Sequence, residues 1–436
     1  MAEVMLYDRD GNPNTYDIGN GVRLYSEDGT ARDFISASPV EATVQPDFSE
    51  GDMEVLPCEN ELFSKVTVAK PPNLTADNIS KGITIAGVKG ELEAGSMSNK
   101  PIRFYDPYGN VIYGYTRAEI QEMTELPPGP TLKGVTFERW THTLDDLKAV
   151  TYFADVGPMY MSGTTPVTVL IVETLSANTE VQLNLYIWVS SYSATINWGD
   201  GSTSKVNGTS AGNRYATHTY ATAGEKIITI YGTNLAHLGY YKYSYTYGVL
   251  ATTGMSNTLN IYPNYMLKSI LMSSAVLDNY PLNHIEATAG SFGLAFVSTY
   301  NEDKRGGQYY GYCHNTALRA IAGNTPLRNL YAKQHYGNTS LRRLRVSGTI
   351  ADGAFTLCNS MEEVEFGSGK ITDAHMNSKW AMLMTSETPP TIGASSPVWG
   401  TCPIYVPDSA VETYKAADGW SNVAAYIFPA SEYPDK

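Results

Sequence analysis

Three short phrases, LYDRDGN from Leu6, LYSEDGT from Leu24 and FYDPYGN from Phe104, repeat one plan: an apolar residue, a tyrosine, a polar bend and a glycine. Asp-Gly and Tyr-Gly corners supply the positive φ that hairpin turns need, and the residues before them suit a pleated, half-buried surface. A chain punctuated in this way is expected to fold into short strands. Composition agrees: charged residues make up 17 %, against 32 tyrosines and 38 glycines, which leaves little material for long charged helices. At 436 residues the chain is too long for one ordinary core. The expected fold class is multi-domain and mainly β.

The balance of 30 basic against 44 acidic residues gives a formal charge of −14, which argues against nucleic acid or an anionic membrane surface as a partner. Cys58, Cys313, Cys358 and Cys402 form no CxxC pair, so a zinc knuckle or thioredoxin-like site lacks its ligands, and disulfide pairing stays open. The first residues, MAEVMLYDRDG, show no basic and apolar leader pattern. VTVLIV, Val167 to Val172, is the longest apolar run and far short of a membrane span. A soluble product made in a cytoplasm is the expectation.

Along the chain, residues 1–40 are expected to form a β-hairpin module. Residues 41–95 form a second β-module, with SKVTVAK and ITIAGVKGEL as strands around the turn PPNLTADN. Residues 96–130 hold a hairpin, then a short helix opened by a Thr116/Glu119 capping box with Ile120 and Met123 on one face, then the stiff linker PPGP. A connector, 131–163, leads to a region at 164–235 where apolar and polar residues alternate as in the strands of a small sandwich. Within it lies INWGDGSTS. A calcium loop would need oxygen ligands at alternate positions, and a catalytic carboxylate would need a partner; Asp200 has neither nearby in sequence, so a hairpin corner is expected.

WGDG at Trp198 to Gly201, HTY at His218 to Tyr220 and GEKIITI at Gly224 to Ile230 resemble a polycystic-kidney-disease-type immunoglobulin-like domain over about seventy residues. The resemblance implies a core tryptophan, an Asp-Gly hairpin and a spacer or binding sandwich. In 236–400, MLKSILM, PLNHIEA, ALRAIAG, PLRNLYA, SLRRLRV and SMEEVEF share an apolar residue at the second position and another three later, with Asn324, Asn338 and Asn359 just ahead of three of them. Their irregular spacing suggests a degenerate solenoid in which each unit needs neighbours. Residues 401–436 are expected to cap it: Ser409 and Glu412 as a capping box, Val411 and Tyr414 as the buried face, Gly419 as the stop. From Leu259 to Pro429 the chain resembles irregular leucine-rich repeats of bacterial surface antigens. Val44 to Leu92, with SKVTVAKPPNLTADNISKGITIAGVKG, resembles a module of structural proteins from bacteriophages that infect gut bacteria.

Seven histidines show no metal-ligand spacing, and no GxSxG, P-loop or GxGxxG is present, so no catalytic residue, cofactor or metal is assigned. The aromatic segments GYYKYSYTYG and QYYGYCHN are the candidate surface contacts. On a strand Tyr241, Tyr243, Tyr245 and Tyr247 share one face, and Tyr309 and Tyr310 form a second group; such rings stack on sugars or protein, or else pack between domains. The resemblances imply a non-enzymatic virion protein, released by lysis, with other virion proteins as partners at its N-terminal modules and a host-surface glycan or protein at its C-terminal domain. A fibre that binds the host surface is favoured, with a head fibre or decoration protein as the alternative, and tail against capsid location stays open. Fibres are commonly homotrimers, although no heptad run specifies one here. A bacterial surface adhesin and a glycan-degrading tail protein, which would need two converging carboxylates, are the competing classes.

Overall fold

Each of the three tyrosine–glycine phrases contributes to an antiparallel hairpin. In the computed structural model Leu6–Tyr7 pairs with Pro13–Asn14, and Val22–Tyr25 with Ala31–Phe34. In the third, β1 (Ile102–Tyr105) pairs with β2 (Val111–Tyr115). Asp106 shapes this last turn: its Oδ1 accepts the backbone N–H groups of Tyr108 and Asn110, both at 2.8 Å, and Gly109 takes φ 81°. The chain divides into two units, 1–96 and 97–436. In the first, the structure describes the backbone of eight strands: the four just named, Met53–Val55 with Val66–Val68, and Thr84–Ile85 with Val88–Lys89. In the second it describes residues 97, 99–187, 192–210, 212–233, 237–238, 250–251, 266–272, 284–285, 294–299, 316–324, 326–327, 330, 335, 337–372, 380–393 and 402–434.

In the second unit, α1 (Arg117–Glu122) begins with the capping box expected for it. Thr116 Oγ1 accepts from Glu119 N, and the Glu119 carboxylate accepts from Thr116 N. A second capping box, Thr143 with Asp146, opens α2 (Leu144–Lys148). Between the helices, β3 (Thr136–Trp140) places Trp140 against Phe104 at 5.0 Å. The segments on either side of PPGP share one core, because β4 (Ala154–Val156) pairs in parallel with β1. Trp140 Nε1 and Tyr160 Oη donate to the carbonyls of Pro127 and Pro130, which binds the proline stretch to that core.

β5 (Pro158–Ser162) joins β3 to the long strand β6 (Thr165–Thr174). VTVLIV lies within β6 and is buried along its whole length, Thr168 included, because it is covered on both sides. Val167, Val169 and Ile171 meet Tyr160, Leu271 and Phe296, whereas Leu170 and Val172 face a separate core. That second core lies between two sheets. One holds β6 with β8 (Tyr192–Asn197), β9 (Thr203–Gly208) and β11 (Gly224–Thr233); the other pairs β7 (Thr179–Ile187) with β10 (Gly212–Tyr220) over nine positions.

The leucine-bearing phrases give short strands. MLKSILM supplies β12 (Leu267–Leu271), antiparallel to β6, and β13 (Phe296–Thr299) and β14 (Ala320–Gly323) follow it in parallel. A separate sheet runs wholly in parallel through β15 (Arg343–Val346), β16 (Glu363–Phe366), β17 (Ala381–Met384), β18 (Ile404–Val406) and β19 (Ile427–Pro429). Alternate residues, among them Leu344, Val364, Met382 and Ile404, line its apolar core. The opposite face meets Tyr152, Phe153 and Tyr433 around Leu383.

The C-terminal helix, α3 (Val411–Ala416), departs from the expected cap. Its N-cap is Ala410, with no side-chain hydrogen bond, because a 3₁₀ turn at Asp408–Ala410 precedes it. Ser409 Oγ instead donates to Glu387 Oε1 at 3.0 Å. The helix ends at Ala416, before Gly419. Tyr414 is buried as expected and donates to the Ser386 carbonyl. The molecule is therefore mainly β, with mixed and parallel sheets and a short C-terminal helix, and no helix among the described residues is long and apolar enough to cross a membrane.

Candidate functional site

Two side-chain constellations stand out among the described residues. The first is the corner INWGDGSTS, which closes the hairpin between β8 and β9. Trp198 is fully buried, donates from Nε1 to Ser204 Oγ, and receives the Tyr220 hydroxyl on its carbonyl. Gly199 and Gly201 both have positive φ, as a corner this tight requires. The sequence near Asp200 shows no partner, but the fold brings one from β10: His218 Nε2 lies 2.7 Å from Asp200 Oδ2, and the imidazole stacks on Trp198. Ser202 donates its hydroxyl to Asp200 Oδ1 at 2.5 Å. Burial acts to raise the Asp200 pKa, but the hydrogen bonds from Ser202 and His218 outweigh it and hold the carboxyl at about 2.

These three residue types also make up nucleophilic relays, so their geometry matters. A relay needs one ring nitrogen facing the serine and the other facing the acid. Here Nε2 is the nitrogen nearest to both, 3.3 Å from Ser202 Oγ, and the serine proton is committed to the carboxylate. The arrangement is a hydrogen-bonded clasp across the hairpin.

The second constellation surrounds a cavity of about 350 Å³ where the β1–β2 hairpin meets the leading ends of β14, β15 and β16. Four arginines line it: Arg103, Arg319, Arg342 and Arg343; Asp155 is the one carboxylate in the lining. Arg103 and Arg343 are buried, at 6 % and 2 % exposure, whereas Arg319 and Arg342 are exposed. Asp155 is engaged by Arg343 and also accepts the Tyr105 hydroxyl at 2.8 Å. Glu363 lies 3.8 Å from Arg343, which also spreads over the Phe153 ring, and Arg342 pairs with Glu362 at 3.1 Å. Arg103 donates from Nε to the Lys100 carbonyl, and Arg319 donates to Asn110 Oδ1. Neither has a carboxylate within ion-pairing distance among the described residues.

The charges respond to this crowding. Burial works against the Arg343 charge, but Asp155, Tyr105 and Glu363 together outweigh it and hold the guanidinium above its ordinary pKa. Arg103 is shifted the other way, first by burial and then by the neighbouring Arg343. Asn110 bridges Arg319 to an acid it does not touch: Asp106 accepts from Asn110 Nδ2, and Asn110 Oδ1 accepts from Arg319.

The expected surface contacts Tyr241, Tyr243, Tyr245, Tyr247, Tyr309 and Tyr310 lie outside the described residues. Sequence reading missed the arginine cavity, although one signal was present: an arginine follows the leucine in ALRAIAG, PLRNLYA and SLRRLRV, at Arg319, Arg328 and Arg342. Among the described residues no three His, Cys, Asp or Glu side chains gather as they would around a metal ion. Comparison with family models, with curated proteins and with solved structures gives no significant match to this chain.

Proposed function

We propose that this chain is a non-enzymatic bacteriophage virion protein, a fibre held to the particle by its N-terminal modules and presenting its C-terminal region to the host surface. The observation that carries the reading is the parallel ladder. Its register positions Arg343, Glu363 and Ala381 are separated by 20 (363 − 343) and 18 (381 − 363) residues; Met382, Ile404 and Ile427 are separated by 22 (404 − 382) and 23 (427 − 404). One short parallel strand per repeat, with a period near twenty, is how a leucine-rich solenoid is built. Each such unit offers its outer edge to a partner while its neighbours bury its core.

On this reading the two facing sheets of 164–235 are an immunoglobulin-like sandwich that acts as a spacer. The clasp at Asp200 favours a structural role for that corner, since its donors and acceptors are spent on one another. The phage module resemblance of Val44 to Leu92 supplies the virion attachment.

The test is direct. Antibody raised against the purified chain is expected to decorate intact phage particles and to reduce their adsorption to host cells. Decoration at the tail tip supports a tail fibre, and decoration over the head supports the head-fibre form. Particles that lack the chain by mass spectrometry would overturn the proposal.

A further inference from the structure

The arginine-lined cavity carries an inference that does not depend on a virion role. Of its four guanidinium groups, two have carboxylate partners: Arg343 with Asp155 and Arg342 with Glu362. Arg103 and Arg319 make no direct ion pair among the described residues; with Glu363 also 3.8 Å from Arg343, three carboxylates stand against four guanidinium groups, and the cluster keeps one positive charge in excess inside a chain whose formal charge is −14. Burying a cation without a counter-charge is costly, and surface arginines that serve only solubility have no reason to converge on one cavity. Arg343 Nε has no acceptor among the described residues, and the hydrogen bond that Arg103 makes to the Lys100 carbonyl uses its Nε and not its Nη groups. The planar guanidinium fork matches carboxylate and phosphate oxygens, to which it binds in bidentate fashion.

We propose that this cavity binds an oxyanion, a carboxylate or phosphate group carried on a ligand of about monosaccharide size. Arg103 forms the floor and Arg319 the rim, each directing N–H donors at the anion. The hydroxyls of Ser340 and Ser360, which also line the cavity, are placed to meet the hydroxyls of such a ligand. Ser340 donates to the Thr316 carbonyl, so its oxygen is left to accept. The size of the cavity is at the small end for ligand sites, which suits one sugar unit.

Titration calorimetry on the full chain tests this with four probes: glucuronate, glucose 6-phosphate, inorganic phosphate and neutral glucose. Saturable, salt-weakened binding of the charged probes and none of glucose is expected. Arg319→Ala, at an exposed position, should lower affinity at least tenfold without changing the melting temperature; Arg103→Gln should lower it further. Sugar acids binding at least tenfold more tightly than inorganic phosphate would assign the site to an acidic sugar, and equal affinities would assign it to the free ion; both uphold an oxyanion site. Absence of saturable binding by every charged probe, or affinity unchanged in Arg319→Ala, overturns it. Because the measurement uses no phage or host, its failure leaves the virion reading untouched, and the converse holds.

Discussion

Asp155 stands directly opposite Arg103 in the parallel ladder between β4 and β1, yet its carboxylate is engaged by Arg343, 188 residues further along the chain. The nearest guanidinium in register is thus left over, while a distant one is neutralised. Tyr105 adds its hydroxyl to the same carboxylate oxygen, and Arg343 donates to the Pro101 carbonyl. Through this one acid the β1–β2 hairpin is tied to the first strand of the parallel ladder. The tie and the lack of a direct ion pair at Arg103 have the same origin: Asp155 lies between two arginines and pairs with Arg343.

Removing that acid should be expensive. Asp155→Asn leaves Arg343 buried beside Arg103 without its main counter-charge, and the expected loss is about 3–5 kcal/mol in urea unfolding followed by tryptophan fluorescence. The double variant Asp155→Leu/Arg343→Met removes both buried charges and should recover most of that loss, since well-packed apolar replacements of buried ion pairs are often near neutral. Equal loss in the single and double variants would show that the pair's charge is not what matters.

How much of this could be read from residues alone follows the range of the interactions. Turns and helix starts are local: the corner at Asp200 and the Thr116/Glu119 capping box involve partners within a few positions, and both were legible. The Ser409/Glu412 pair has the same spacing but forms no box, because Glu387 reaches Ser409 from another segment and a 3₁₀ turn occupies the position. His218 and Asp200 are 18 residues apart, and Arg343 and Asp155 are 188 apart. No periodicity reports such meetings; they depend on strand register set by packing. The largely apolar run VTVLIV was visible, but only the fold shows why its residues do not alternate: both faces of β6 are covered.

The two glycines of the corner should respond differently to one methyl group. Both have positive φ, 82° at Gly199 and 94° at Gly201, so alanine is strained at either. Around Gly201 an added Cβ meets open space, and Gly201→Ala should cost about 1–2 kcal/mol. At Gly199 the Cβ would lie 2.5 Å from the Ile227 carbonyl oxygen, a backbone atom of β11 that cannot swing away. Gly199→Ala should therefore cost at least about 2 kcal/mol more than Gly201→Ala in thermal unfolding. Equal losses would show that backbone conformation alone governs the corner.

The clasp should weaken in acid. Asp200 holds its proton less readily in the fold, at about 2, than an ordinary carboxyl near 3.8. A depressed carboxyl contributes stability in full above its unfolded pKa and loses it as pH falls through the folded value. The stability gap between the native chain and Asp200→Asn should thus be constant above about pH 5 and shrink between pH 4 and 2. The carboxyl is a third exposed, so salt should narrow the gap as well. A gap that ignores both acid and salt would mean that the asparagine amide replaces the carboxylate's contacts.

A separate acid response is expected at higher pH from two histidines that the fold buries in the neutral state. His142 and His335 are both held at about 3, His142 by burial and then the nearby Arg345 charge, His335 by burial. Asp146 and Asp155 pull the His142 value up but do not prevail. In the unfolded chain each titrates near its ordinary value of 6.5, so between about pH 6.5 and 3 the unfolded state binds more protons. Stability is full above that window and falls as pH drops through it, by about 1.4 kcal/mol per pH unit for each group. His142→Gln keeps a neutral polar side chain but cannot take up a proton, so it should remove about one proton from the slope measured between pH 6 and 4. Asp200→Asn should leave that slope unchanged, because its own window lies lower. A slope in His142→Gln equal to that of the native chain would place the imidazole in contact with water and reject a buried, neutral His142.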